Sequence, residues 1–145
     1  MRELPASIES RLRQLPTGLR DHIERAREVG RELADLHGVD AEIVDLGIAG
    51  HDIARALKGD DLLEQAHNYH LNPRPVEQST PVLLHGPVAA LWLEHEDGIV
   101  DQRVLEAVRC HTTGMEGMGT PARVVFLADK LDSQKVRQYP YLKGI

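Results

Sequence analysis

Apolar residues recur at intervals of three and four along most of this chain, and no stretch alternates convincingly with period two. The clearest stripe lies between Thr17, a residue type that caps helix starts, and Gly38, a residue type that ends helices. The stripe predicts one long helix whose inward face carries Leu19, His22, Ile23, Ala26, Val29, Leu33 and Leu36. The polar His22 is therefore expected among apolar neighbours.

The same periodicity predicts five more helices, so the expected fold class is all-α. Asp40 can cap the second helix, which runs into Gly50-His51-Asp52. Segments 72–75 and 112–119 are rich in proline or glycine and are predicted to be loops. The remaining helices are expected over 60–69, from Gly86-Pro87 to Gly98, from Asp101 to about His111, and from a Thr120-Pro121 start to Leu131.

The composition fits a single domain over residues 1–145. A chain of 145 residues can bury a sizeable core, and 41% of these residues are hydrophobic. No apolar run approaches the roughly 20 residues that cross a bilayer, and the N-terminal stretch lacks the apolar segment of a secretory signal. The one cysteine, Cys110, has no partner for an internal disulfide. We therefore expect a cytoplasmic protein with no membrane partner.

The charge balance narrows the expected ligands. A net charge of −6 repels polyanions such as DNA, which argues against a general nucleic-acid-binding protein. A small nucleotide remains a suitable ligand if cationic groups at its binding site outweigh the negative electrostatic field of the whole chain. Eight histidines are an unusual feature of the composition, and they need an explanation.

Six imidazole and carboxylate side chains are expected at helix ends or on inward helix faces. Each alone is more often a core or capping group than a ligand, but their joint placement favours a metal site. Asp129 in particular lies within an apolar helix, where a buried carboxylate needs a partner. This mixture of ligands suits Fe, Mn, Co, Ni or Zn better than Mg or Ca alone. The six residues are His22, His51, Asp52, His85, His111 and Asp129.

The other histidines and the cysteine have simpler interpretations. His37 precedes Gly38, where a cation is favoured by the helix dipole. His67, His70 and His95 lie in polar surroundings and are predicted to be surface residues. Cys110 adjoins His111, but neighbouring helical residues point about 100° apart, so an inert core thiol is expected.

Several stretches of the chain resemble the YqeK-type family within the HD superfamily. The order His22, His51-Asp52, His85, His111, Asp129 follows the extended pattern H…HD…H…H…D. Residues 83–88, LLHGPV, resemble the family's LLHGPVGA; residues 109–114, RCHTTG, resemble its R-x-HTTG loop. Residues 125–130, VFLADK, resemble its IFLADY helix. The resemblance covers about residues 17–132 and implies an HD-domain helical bundle that splits diadenosine tetraphosphate symmetrically into two ADP.

The resemblance also implies residue roles. His22, His51, Asp52 and Asp129 would hold one divalent ion, while His85 and His111 would complete a second site, with Asp52 bridging the two. Iron is the expected metal, with Mn, Co, Ni or Zn as alternatives. Two such ions would activate a water and neutralise charge on the phosphoryl oxygens.

A second set of residues, neighbours of the ligand candidates, could contact the substrate phosphates. Asp52 and Arg55 are the expected catalytic residues, and Arg55 replaces the family's usual lysine. The expected phosphate contacts are Arg55, Thr112, Thr113 and the backbone of Gly114, with Arg109 a weaker candidate.

Two departures from the family keep other hypotheses open. Residues 129–133, DKLDS, replace an acidic-proline stretch that lies near the nucleotide in relatives, and relatives usually continue with further helices beyond position 145. The sequence is therefore that of a trimmed or a short relative, and an apolar patch exposed by the shorter C-terminus could pair two copies as a homodimer. The alternatives are an HD phosphohydrolase acting on a nucleoside mono-, di- or triphosphate or a signalling nucleotide, and a weakly active nucleotide-binding module.

Overall fold

A computed structural model describes residues 3–132 together with residues 134 and 137. Every regular element in this part of the chain is helical, which confirms the predicted all-α class. The elements are α1 (Ala6–Gln14), α2 (Thr17–His37), α3 (Ala41–Gly50), α4 (Gly59–Asn68), α5 (Pro75–Ser79), a 3₁₀ helix (Pro81–Leu84), α6 (His85–His95), α7 (Gln102–Cys110) and α8 (Thr120–Lys130).

The long helix α2 has the predicted extent but a rotated buried face. Leu36, predicted to face inward, is 76% exposed. The cause is Gly30, where a side chain would collide with Ile48 and Val44 of α3. Since α3 packs against the Gly30 side of α2, the buried face of α2 is rotated away from Leu36. The buried residues of α2 are His22, Ile23, Ala26, Gly30 and Ala34.

Helix ends follow the predicted chemistry in some places only. Asp40 accepts hydrogen bonds from the first-turn N–H groups of α3, and Gly38 ends α2 in the left-handed conformation with a φ of 65°. Thr17 and Thr120 were predicted as caps, and both predictions were wrong. Each is the first residue of its helix, because the preceding residue already adopts the extended cap conformation.

Three short elements were not predicted. The five-residue α5 and the four-residue 3₁₀ helix are too short for a convincing helical stripe, and Ile8 is the one buried residue of the nine-residue α1. Helix α6 begins at His85 itself and ends at His95, three residues before the predicted stop at Gly98. Pro75 is the first residue of α5, so the predicted loop at 72–75 ends one residue earlier, at Arg74. Pro81 is likewise the first residue of the 3₁₀ helix.

Helix α3 lies at the centre of the molecule. Its Val44 and Ile48 pack in one apolar cluster with α2, α7 and α8, while its Ala49 packs in a second cluster with α1, α4, α6 and α7. The chain leaves α3 at Gly50, so His51 and Asp52 emerge where both clusters meet.

No helix among the residues in 3–132 is both long enough and apolar enough to cross a membrane.

Candidate metal centre

The structure brings the six predicted ligand residues together in the interior. His22 lies in the second turn of α2, His51 and Asp52 follow α3, and Asp129 lies in the last turn of α8. His85 opens α6 and His111 follows α7. All six are at most 7% exposed. Helix termini therefore aim side chains from five helices at one point.

Four of the six residues form what we call the first group: His22, His51, Asp52 and Asp129. One ligand atom from each lies within 4.8 Å of all the others. Asp129 Oδ1 is 2.9 Å from His22 Nε2 and 3.3 Å from His51 Nε2. Asp52 Oδ2 is 3.5 Å from His22 Nε2 and 3.4 Å from His51 Nε2.

The second group consists of Asp52, His85 and His111. The two imidazole Nε2 atoms are 2.9 Å apart. Asp52 Oδ1 is 3.2 Å from His85 Nε2 and 3.4 Å from His111 Nε2. Asp52 therefore turns one carboxylate oxygen toward each group.

The donor chemistry fits divalent metal ions. In His51, His85 and His111, Nδ1 lies beside a backbone carbonyl oxygen, which can only accept, so Nδ1 carries a proton. In the neutral form of each ring, Nε2 then directs a lone pair into the centre. Ligand atoms about 2.1 Å from one ion and at right angles to each other lie about 3.0 Å apart, close to the spacings of both groups.

Electrostatics in the metal-free chain differ between the groups. Burial acts against charge on His51, but Asp52 and Asp129 outweigh it and raise the pKa of His51 to about 9. Burial lowers the pKa of His111 below its ordinary value. Burial opposes the Asp52 carboxylate as well, yet His51, His111 and His85 hold its pKa well below the usual range. Asp52 is therefore an ionised acceptor between the two groups.

Two residues behind the first group were not predicted. Asp132 is 1% exposed, and its Oδ2 lies 2.8 Å from His22 Nδ1. The Arg25 guanidinium donates to both Asp132 oxygens. A weak signal was available for Arg25 alone, which follows His22 by three residues on α2, the interval that places side chains on one helix face, whereas Asp132 lies beyond the end of α8.

Lys130 is a third unpredicted neighbour. Its Nζ lies 2.9 Å from Asp129 Oδ2 and 3.5 Å from the His111 carbonyl oxygen. The ammonium also lies 4.5 Å from the Phe126 ring centroid. A cation thus joins the first group to the segment that leads into the 112–119 loop.

Arg55 stands on the turn that follows the metal-ligand candidates. Helix α3 does not continue, but i→i+3 bonds do, and Arg55 N donates to Asp52 O over 3.0 Å. Residues three apart in such turns share a face. The Arg55 side chain is exposed and makes no hydrogen bond or ion pair with the residues that the structure describes.

The predicted phosphate contacts in the glycine-rich loop differ in their surroundings. Thr112 is half-buried, with Oγ1 3.5 Å from His111 Nε2, so its hydroxyl faces the centre. Thr113 is exposed. Gly114 has a φ of 71°, and its N–H donates to the Cys110 carbonyl over 2.8 Å. A phosphate would have to compete with that bond for the Gly114 N–H.

A cleft of about 260 Å³ adjoins the second group through Thr112. Its wall combines apolar side chains with two exposed guanidinium groups, those of Arg74 and Arg109. The apolar part comes from Leu71, Pro73, Leu83, Leu84, Pro87, Cys110 and Met115. Mixed linings of this kind are typical of small-molecule sites.

The residues interpreted as structural lie away from this centre. His37, His67, His70 and His95 are exposed. Cys110 is buried, and burial raises the pKa of its thiol. Among residues 3–132, 134 and 137, the two groups contain all the His, Asp, Glu and Cys clusters that could hold a metal ion.

Fold and site together define an all-helical protein whose buried histidines and aspartates fit divalent metal binding. The sequence pattern of the HD domain matches residues 19–134, and the chain belongs to this family.

Relatives and a solved structure agree with that assignment. The chain is 31% identical over 119 residues to a Staphylococcus aureus protein named bis(5'-nucleosyl)-tetraphosphatase, symmetrical, covering 82% of this chain and 61% of that protein. A Halalkalibacterium halodurans protein of the same name is 31% identical over 124 residues, 86% of this chain and 65% of its own length. The chain thus spans less than two thirds of these curated relatives.

The fold has a counterpart in a crystal structure from Clostridium acetobutylicum, described as a predicted HD superfamily hydrolase involved in NAD metabolism. The TM-score is 0.84 at 24% identity, with 91% of this chain and 70% of the other covered. This similarity supports the helical architecture.

Proposed function

We propose that this chain is a metal-dependent phosphohydrolase of dinucleoside polyphosphates, with diadenosine tetraphosphate, split into two ADP, as the expected substrate. The observation that carries the proposal is Asp52, which turns one oxygen toward each of two adjacent groups of buried metal-ligand candidates. The names of the two bacterial relatives support the substrate class.

The proposed ligands are His22, His51, Asp52 and Asp129 for one ion and Asp52, His85 and His111 for another. Iron is the first candidate, and Mn, Co, Ni and Zn use the same ligand types. When bound, such ions lower the pKa of a coordinated water and withdraw charge from phosphoryl oxygens.

The chain's own residues would position the substrate. Arg55, on the face of Asp52, and the Thr112 and Thr113 hydroxyls can donate hydrogen bonds to phosphate oxygens. The oxygen of water bonds to one central phosphorus, and the central bridging oxygen leaves with the other half. Water's protons pass to the products and the solvent, so two ADP form. Positioning and neutralisation supply most of such a reaction.

Chromatography of the products tests this proposal directly. The purified chain is incubated with diadenosine tetraphosphate and Fe²⁺, Mn²⁺ or Co²⁺, and ADP is the expected sole product. ATP plus AMP would place the attack at a different phosphorus and contradict the symmetrical mechanism. No product in any metal would contradict the proposed activity.

A second candidate is hydrolysis of another nucleotide, either a nucleoside mono-, di- or triphosphate or a signalling nucleotide. Lys130 supports this candidate, because its ammonium lies beside Asp129 at a position where the YqeK-type family, which this chain resembles, has a tyrosine. A panel of these nucleotides at equal concentration discriminates the two by relative kcat/KM. Tight nucleotide binding with negligible hydrolysis would instead support a binding module.

Four further predictions accompany the proposal. The substrate is a small nucleotide and not a nucleic acid, because the net charge is −6. Residues 1–145 act as one domain, the protein works in the cytoplasm, and two copies pair as a homodimer. Size-exclusion chromatography with light scattering tests the last of these.

A further inference from the structure

The four histidines of the centre differ in what holds the ring nitrogen that points away from it. In three of them Nδ1 lies 2.5–2.7 Å from the carbonyl oxygen three residues earlier, in the pairs His51–Ile48, His85–Val82 and His111–Val108. In His22 that position is taken by a carboxylate, because Nδ1 lies 2.8 Å from Asp132 Oδ2. His22 is thus the exception among the four.

Asp132 is itself held firmly. It is 1% exposed, and Arg25 donates through Nε to Oδ1 and through Nη2 to Oδ2, the latter over 3.1 Å. Arg25 follows His22 by three residues on α2, so the same helix carries both side chains that contact Asp132, while the Gln134 N–H donates to its Oδ1 over 3.3 Å.

The Asp132 carboxylate, as the acceptor beside Nδ1, has two effects on His22. It fixes the proton on Nδ1, which leaves the Nε2 lone pair directed at the first group. It also polarises the ring more than a carbonyl does, which makes Nε2 the better donor to a metal ion. The Arg25 side chain is 28% exposed and the Asp132 side chain 2%, so most of the pair is shielded from solvent.

We infer that Asp132 is a positioning residue for the first metal subsite, acting through His22 and without contact with the ion. The inference rests on the metal centre of the proposed function. Asp132 would therefore add to the metal affinity of the first subsite. The second subsite has no such contribution, because the Nδ1 atoms of His85 and His111 lie beside neutral carbonyl groups.

Metal titration tests this without any measurement of turnover. His85→Ala removes a ligand of the second group, so Mn²⁺ binding reports mainly the first subsite. Adding Asp132→Asn to this background is expected to weaken Mn²⁺ binding by about tenfold to a hundredfold. Asp132→Glu, which keeps the charge, is expected to lose less than Asp132→Asn.

A thermodynamic cycle separates positioning from a general structural role. In a His22→Ala background, Asp132→Asn is expected to change each remaining Mn²⁺ affinity by no more than about twofold, because its route to the ion is gone. A loss as large as with His22 present would overturn the inference. A wild-type chain that binds no Mn²⁺, Fe²⁺ or Co²⁺ would overturn the proposed metal centre and this inference with it.

The chain offers a matched control on the same helix. Arg27 donates to both oxygens of Asp45 over 2.8 and 3.0 Å, in a partly buried pair whose side chains are 11% and 13% exposed. Asp45→Asn is expected to leave Mn²⁺ affinity unchanged, and an equal loss there would contradict a specific role for Asp132. Removing one partner of a buried pair can unfold a protein, so Arg25→Gln/Asp132→Asn, which removes both charges, serves as the second variant.

Discussion

The first and second groups share Asp52 but are built differently. The first draws two carboxylates and two histidines from helices α2 and α8 and the end of α3, and a buried aspartate–arginine pair stands behind it. The second has one shared carboxylate and two histidines backed by carbonyl groups, beside a cleft and a threonine-bearing loop. From this difference we expect a division of labour, in which the first group would retain its ion and the second would meet the substrate.

Asp52→Asn is expected to have the largest effect of any single substitution considered, since Asp52 belongs to both groups. We expect loss of the second ion, weakened binding of the first, and a fall in kcat of about a thousandfold or more, because metal ions supply several kcal/mol in such reactions. Metal analysis and product chromatography measure both effects.

Asp61→Asn, at an exposed position on α4, is the control and should leave both properties unchanged. Wild-type turnover by a well-folded Asp52→Asn variant would contradict the shared-ligand mechanism.

The pH dependence of metal loading tests the electrostatic contrast. Asp52 and Asp129 raise the pKa of His51 to about 9, so the metal-free ring holds a proton at neutral pH that the first ion must displace. His22 also faces this ring. Affinity of the first subsite should rise by about tenfold per pH unit up to about pH 9.

The second subsite should depend less on pH, since the pKa of His111 is lowered by burial. Mn²⁺ titrations from pH 6.5 to 8.5, in His85→Ala for the first subsite and in wild type for both, separate the two slopes. Equal slopes would remove the electrostatic distinction between the groups.

Gly86→Ala perturbs the second group without changing a ligand. A side chain at Gly86 would lie 2.9 Å from the Val108 carbonyl oxygen and 3.3 Å from His111 Nδ1. The backbone before His111 must then shift, so we expect about a tenfold loss of affinity for the second ion and a smaller loss for the first. Gly18→Ala, where no atom lies within 4 Å, is the matched control.

The sequence was sufficient for the helical class and for bringing the six ligand candidates to one place. Helical periodicity placed His22 on an inward face, and the motif-like stretches gave the order of the others. The buried face of α2 was wrongly predicted to include Leu36. A pattern of apolar residues gives no weight to Gly30, which leaves room for α3 to pack on the other side.

Asp132 and Arg25 could not be recognised in the same way. Their partners lie 107 and 110 positions away in the chain, and a carboxylate near a helix end is ordinarily solvated. Only the packing of α2 against the end of α8 makes Asp132 a buried acceptor. The roles of all these residues in metal binding stay predictions.

Substitution of Arg55 is expected to have the smallest effect, and it sharpens the comparison from the substrate side. Arg55 is exposed and shares the face of Asp52, so Arg55→Met should remove a phosphate contact while leaving both ions in place. We expect KM for diadenosine tetraphosphate to rise about fivefold to tenfold, the loss typical of one charge-assisted contact near solvent. Arg55→Lys should restore much of it, because the charge remains.

The control for Arg55 is Arg13→Met, which removes an exposed arginine on α1. Both variants lower the net positive charge equally, so a general field effect would raise KM in both. An increase confined to Arg55→Met, with unchanged metal content, places Arg55 beside the substrate phosphates. If kcat falls while KM is constant, Arg55 contributes to the transition state and not to substrate binding. The substrate-facing part of the site then includes the turn after Asp52 as well as the second group.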